Sequence, residues 1–108
     1  MADIGDRSPK VTVEATLDGS NARIVRISGE LDLSSVPGVE VDIEPVLAAA
    51  PERLVFDLSG VAFMDSSGIA MLLRAAKRVA RIEVRDPSPA VQLIIEATGL
   101  AEVLHVEP

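Results

Sequence analysis

The sequence predicts an α/β fold: a mixed β-sheet whose helices come from the crossovers, in the order β-β-α-β-α-β-α-β. Three observations carry this reading. Val11, Val13, Ala15 and Leu17 alternate with Thr12, Glu14 and Thr16, the period of a half-buried strand. Arg53-Leu54-Val55-Phe56-Asp57-Leu58 is an apolar run of strand length. Between successive later strand candidates comes a segment with helical spacing and Ser, Pro or Gly at its ends, which is what crossover connections between parallel strands need.

The elements follow in order. Residues 1–10 are polar, contain Pro9, and are expected to form a flexible tail; the domain proper is 11–108. Asp18-Gly19-Ser20-Asn21 is a turn signal, and 22–28 supplies the returning strand, so 11–28 reads as a hairpin. Gly29-Glu30-Leu31-Asp32 is expected to leave the sheet. Segment 34–50 carries two patterns, an alternation over 39–44 and a helical stripe of Val36, Val39, Ile43, Val46, Leu47 and Ala50. The helix is preferred, capped by Ser34 or Ser35. Pro37 is tolerated in its first turn, and Pro45 should break it by removing the bond to the Val41 carbonyl.

Residues 69–80 read as the next helix, with Ile69, Leu72, Leu73, Ala76 and Ala80 on one face. Arg74, Lys77, Arg78 and Arg81 form a basic stripe on another, either a solvated face or an electrostatic docking surface. Residues 81–85 are a strand. Ser88 caps a third helix with Pro89 at its first position, Gly99 ends it, and 103–106 give a last short strand.

Composition narrows the function. At 108 residues the chain is one domain, and 48% hydrophobic residues rule out a disordered tail. Phe56 and Phe63 are the only aromatics, so stacking on nucleic-acid bases is unavailable. A net charge of −7 argues further against DNA, RNA or anionic membranes as partners. With no cysteine and one histidine, His105, thiolate and multi-histidine metal sites are excluded. No apolar run approaches a membrane span, and the N-terminus lacks the apolar core of a signal peptide, so a cytoplasmic protein is expected.

The chemistry concentrates at Phe63-Met64-Asp65-Ser66-Ser67-Gly68, where a strand hands over to a helix. A helix start leaves backbone N–H groups unpartnered and carries partial positive charge. An Asp or Ser there can be a cap, and a serine can equally be a phosphate acceptor, because such a place holds an oxyanion. A cap explains one such residue and leaves the second hydroxyl unexplained. Gly29-Glu30-Leu31-Asp32, at another strand end, is either a solvated turn or a functional loop. Enzyme signatures are missing: there is no Gly-x-Ser-x-Gly elbow, phosphate loop or dinucleotide fingerprint, and a hydrolase using Ser66 would need His105 or an acid within reach. The chain reads as acted upon, not as an enzyme.

At these residues the chain resembles the STAS domain family, and within it the bacterial anti-sigma factor antagonists. The resemblance spans roughly 11–106. It rests on Val25-Arg26-Ile27-Ser28-Gly29-Glu30-Leu31-Asp32, on 54–61 as the central strand, on Phe63-Met64-Asp65-Ser66-Ser67-Gly68-Ile69 as a phosphorylation motif, and on 89–100 as the third helix and its stop. The resemblance implies a partner-switching phosphoprotein. An anti-sigma factor that is also an ATP-dependent serine kinase, of the histidine-kinase-like ATPase type, would bind the unphosphorylated chain and free a sigma factor. Phosphorylation at Ser66, the serine directly after the Asp, would end that binding, and a serine phosphatase would restore it. Asp32, Asp65, Ser66, Ser67, Gly68, Ile69 and Arg74 would meet the partner. No cofactor is implied for the chain itself, since the kinase would hold ATP. A second reading makes it an interaction subunit of another assembly, a lipid-transport accessory or a stressosome-like scaffold, without phosphate turnover. Two departures stand out: Ala70 where many relatives have Gly, and no further helix after the last strand, which is expected to expose apolar surface near Leu104 and Val106.

Overall fold

The computed structural model describes residues 9–15, 21–102 and 104–107. The order is β1 (Lys10–Ala15), β2 (Ala22–Leu31), α1 (Val36–Ala48), β3 (Arg53–Met64), α2 (Ser66–Ala76), β4 (Ile82–Arg85), α3 (Pro89–Thr98), a 3-10 turn (Leu100–Glu102) and β5 (His105–Glu107). The five strands lie in sequence order across the sheet. β1 is antiparallel to β2, with Val13 opposite Val25, and the remaining pairs are parallel. The mixed sheet and the element order are those expected. The first strand begins at Lys10; the proposed turn at 18–20, the tail at 1–8 and Val103 lie outside the described residues.

One face of the sheet builds the core. Val25 and Ile27 of β2, Leu54, Phe56 and Leu58 of β3, and Ile82 and Val84 of β4 pack with α1 residues Val39 and Ile43, α2 residues Met71 and Leu72, and α3 residues Val91 and Ile95 in one apolar cluster. The alternate residues form the other face, where polar pairs stand beside Ile24 and buried Val55: Arg26 bonds Asp57 at 3.2 Å and also pairs with Glu14. Buried Glu83 is met there by Arg53 at 2.9 Å and Arg81 at 3.0 Å, the compensation a desolvated carboxylate requires.

Several details depart from the sequence reading. β2 does not leave the sheet at Gly29: it continues through Leu31, because Gly29 adopts φ 101°, open to glycine without strain, and pairs with Val61 of a β3 longer than expected. α1 is continuous through Pro45, which is exposed, so only the bond to the Val41 carbonyl is lost, and at the helix end the Ala49 N–H meets the Pro45 carbonyl at 3.2 Å. Ala50 lies beyond α1 and is exposed. On α2 the buried positions are Gly68, Met71, Leu72 and Ala75, with Ile69, Leu73 and Ala76 only half-buried and Ala80 exposed past the helix end. Leu104 is 1% exposed and Val106 half-buried: the 3-10 turn and the Leu104 N–H bond to the Leu100 carbonyl fold that segment back onto the core. α3 is capped as expected, by Ser88 with its side chain accepting from Val91 N–H and by left-handed Gly99.

Candidate functional site

Because β2 and β3 run parallel with Leu31 opposite Met64, the segments that follow them emerge at the same end of the sheet. This is the carboxyl end, where parallel sheets place their sites. The Asp65 N–H donates to the Leu31 carbonyl at 3.1 Å and ties the two segments together. The proposed partner-facing residues Asp32 and Asp65–Ile69 therefore share one edge of the molecule, although neither segment alone indicates it.

Asp65 is the N-cap of α2. Its backbone is extended and its carboxylate accepts the Ser67 N–H at 2.8 Å. Between capping by Asp and capping by Ser, the fold has taken Asp, so the cap does not use the Ser66 side chain. Ser66 is the first helical residue and is exposed, whereas Ser67 is half-buried. Gly68 is buried: a Cβ there would stand 2.6 Å from Met64 Cγ and 3.2 Å from Leu31 Cβ. Its contribution is close approach of the helix to the sheet. Ile69 packs partly on the core.

The loop after β2 is locked by its own side chains. Asp32 Oδ1 accepts the Ser34 N–H at 3.0 Å, the Ser35 N–H at 2.9 Å and the Ser34 hydroxyl at 2.8 Å. These bonds, the Ser34 hydroxyl first, hold the Asp32 carboxyl below the ordinary carboxylate range. Ser35 stands at the start of α1 yet makes no side-chain cap; its hydroxyl donates to the Glu30 carbonyl at 2.7 Å. The expected cap from Ser34 or Ser35 is therefore not formed, and the Asp32 carboxylate is turned into its own loop. At the tip stands Leu33, 78% exposed.

The basic stripe is largely taken up by intramolecular pairs. Arg74 meets Glu40 through Nε and Nη2, both at 2.9 Å, and one turn on Arg78 meets Glu44 at 2.6 and 2.7 Å. Glu40 raises the Arg74 guanidinium above its usual value. The two pairs join Glu40 and Glu44 of α1 to Arg74 of α2 and to Arg78 just past its end, and Arg81 goes to Glu83. Arg74, Arg78 and Arg81 thus each already face a carboxylate of the chain itself. Arg74 also rims a groove of about 310 Å³ between the two helix starts, lined also by Leu33, Val36, Pro37, Glu40, Ser66, Ser67 and Ala70. Sequence reading missed Leu33 and Glu40 of this groove. The one available signal was an apolar Leu33 inside the polar run Asp32-Leu33-Ser34-Ser35.

His105 lies at the opposite end of the sheet. It pairs with Glu83, which pairs with Val55, near the start of β3, whereas Ser66 follows the end of that strand. At about 3.3 Å per strand residue the separation is on the order of 25 Å, so the two cannot form a nucleophile–base pair. Among the described residues no group of three or more His, Cys, Asp or Glu could hold a metal ion. No helix among them is long and apolar enough to cross a membrane.

The STAS domain family model matches residues 12–108. An anti-sigma F factor antagonist of Paenibacillus polymyxa is 30% identical over 88 residues, 77% of this chain and 75% of that one. An anti-sigma-B factor antagonist of Staphylococcus aureus is 27% identical over 86 residues, 76% of this chain and 80% of that one. Among solved structures, an anti-sigma factor antagonist from Mycobacterium paratuberculosis superposes with TM-score 0.85 at 30% identity, covering 95% of this chain and 88% of that one. A further anti-sigma factor antagonist, in its unphosphorylated form, shares the fold with TM-score 0.72 at 22% identity, covering 90% and 87%.

Proposed function

The chain belongs to the STAS domain family, and from that premise we propose that it is an anti-sigma factor antagonist switched by phosphorylation of Ser66. The observation that carries the reading is the division of labour at the start of α2: Asp65 caps the helix while the Ser66 hydroxyl stands exposed beside a groove. The names of the relatives, anti-sigma factor antagonists at 27–30% identity, support the class of partner.

In the unphosphorylated state the end of the molecule bearing Leu33, Asp65, Ser66 and Arg74 docks on an anti-sigma factor and frees its sigma factor in the cytoplasm. That anti-sigma factor is a serine kinase and holds ATP. The Ser66 oxygen forms a bond to the γ-phosphorus as the bond from that phosphorus to the β-γ bridging oxygen breaks. ADP leaves, and a kinase base takes the hydroxyl proton. The product carries about −1.5 to −2 additional charge beside Asp65. The folded chain tolerates the anion because Ser66 is exposed and its side chain is not the cap of α2, but at a docked surface it demands hydration. A loss of about 4 kcal/mol would weaken docking roughly a thousandfold. A serine phosphatase hydrolyses the ester and returns the chain to the binding form.

The test is incubation of the chain with candidate anti-sigma factor kinases and ATP, read by intact mass and peptide mapping. One phosphoryl group on the Ser66 peptide, lost in Ser66→Ala, together with failure of Ser66→Asp to bind the kinase, supports the reading. Modification elsewhere, or binding by Ser66→Asp as tight as the parent, overturns it. Docking without any phosphoryl transfer would favour an interaction subunit of another assembly.

A further inference from the structure

We propose that the outer edge of β1 pairs with β1 of a second copy, antiparallel and centred on Thr12, joining two sheets into one across a two-fold axis. The inference does not depend on the function proposed for Ser66. β1 ends the sheet, and among the described residues it pairs with β2 alone, so every second residue turns its N–H and C=O outward. Such an edge is a template for another strand, and what it accepts is decided by the side chains set opposite each other.

A two-fold axis normal to the sheet keeps like faces together, so it must pass through a pair of identical residues. Centring on Val11 sets Lys10 against Thr12, and centring on Val13 sets Glu14 against Thr12. Centring on Thr12 sets Lys10 against Glu14 and Val11 against Val13, in both copies at once. That register is complementary on both faces. On the helix-covered face, Val11 packs on the core while Val13, opposite core residue Val25, remains 44% exposed. The partner's Val11 would cover it. On the polar face Glu14 already pairs with Arg26, and the partner's Lys10 would approach from the free side to complete a cation–carboxylate–cation row. Pro9 lacks an N–H and closes the ladder at its start.

Sedimentation velocity across a concentration series, with charge variants, tests the pairing. The parent is expected to dimerise reversibly. Lys10→Glu and Glu14→Lys each place two like-charge pairs at the axis and should weaken the dimer about tenfold or more. An equimolar mixture of the two variants sets Glu against Lys on both rungs and should restore a one-to-one heterodimer. Circular dichroism checks that each variant is folded. Since the sequence contains no cysteine, Thr12→Cys supplies an independent readout that disturbs no charge: directly opposite residues fall within disulfide range, so mild oxidation should cross-link it, while Ser34→Cys should not. A parent that stays monomeric throughout, variants that dimerise like the parent, a mixture that fails to associate, or absence of the Thr12→Cys cross-link would overturn the proposal.

Discussion

The carboxylate of Asp65 holds the Ser67 N–H at 2.8 Å, and that bond decides the status of the residue between them. Ser66 begins α2 without serving as its cap, so a hydroxyl at a helix start is left at the surface. The cap and the surface hydroxyl thereby belong to different side chains.

Asp65→Ala should consequently cost about 1 kcal/mol of folding stability, the ordinary loss for a cap, whereas Ser66→Ala should change it by less than about 0.5 kcal/mol. Urea unfolding followed by circular dichroism checks both. Ser66→Ala should at the same time eliminate phosphoryl incorporation by a cognate kinase. Equal destabilisation by the two substitutions would return the capping role to Ser66.

Gly68→Ala should destabilise the chain by about 1–3 kcal/mol, despite the helix propensity of alanine, because the new methyl meets Met64 Cγ at 2.6 Å and Leu31 Cβ at 3.2 Å. The midpoint of chemical unfolding measures it. A stabilised variant would show that α2 moves away from the sheet at little cost.

Acid should loosen the loop after β2. The folded-state pKa of Asp32 lies below its unfolded value, so its bonds to Ser34 and Ser35 contribute fully above about pH 4 and are lost as pH falls through the lowered folded value. The parent should be more stable than Asp32→Asn at neutral pH, and the difference should shrink below about pH 4. Urea midpoints of the two proteins across pH give the result, and a gap that widened on acidification would contradict the assignment.

Leu33→Asp should leave stability within about 0.5 kcal/mol of the parent, since the side chain is 78% exposed, yet weaken docking to the anti-sigma factor at least about tenfold. Calorimetric titration of the cognate pair would show this, and unchanged affinity would remove Leu33 from the docking surface.

The sequence by itself determined the order of elements, the strand–helix handover at Asp65-Ser66, and the caps Ser88 and Gly99. Each of these is a local matter: alternation, spacing and turn chemistry act within a few residues. Tertiary structure decided the rest. Whether α2 buries Ile69 or Met71 depends on what packs above and beside it. Whether β2 stops at Ser28 or runs to Leu31 depends on a β3 that continues to Met64 and offers it partners. Whether Arg74 is a free cation or a paired one depends on Glu40, 34 residues away in sequence. These outcomes are set by contacts between segments distant along the chain, and no window of residues contains both halves of such a contact.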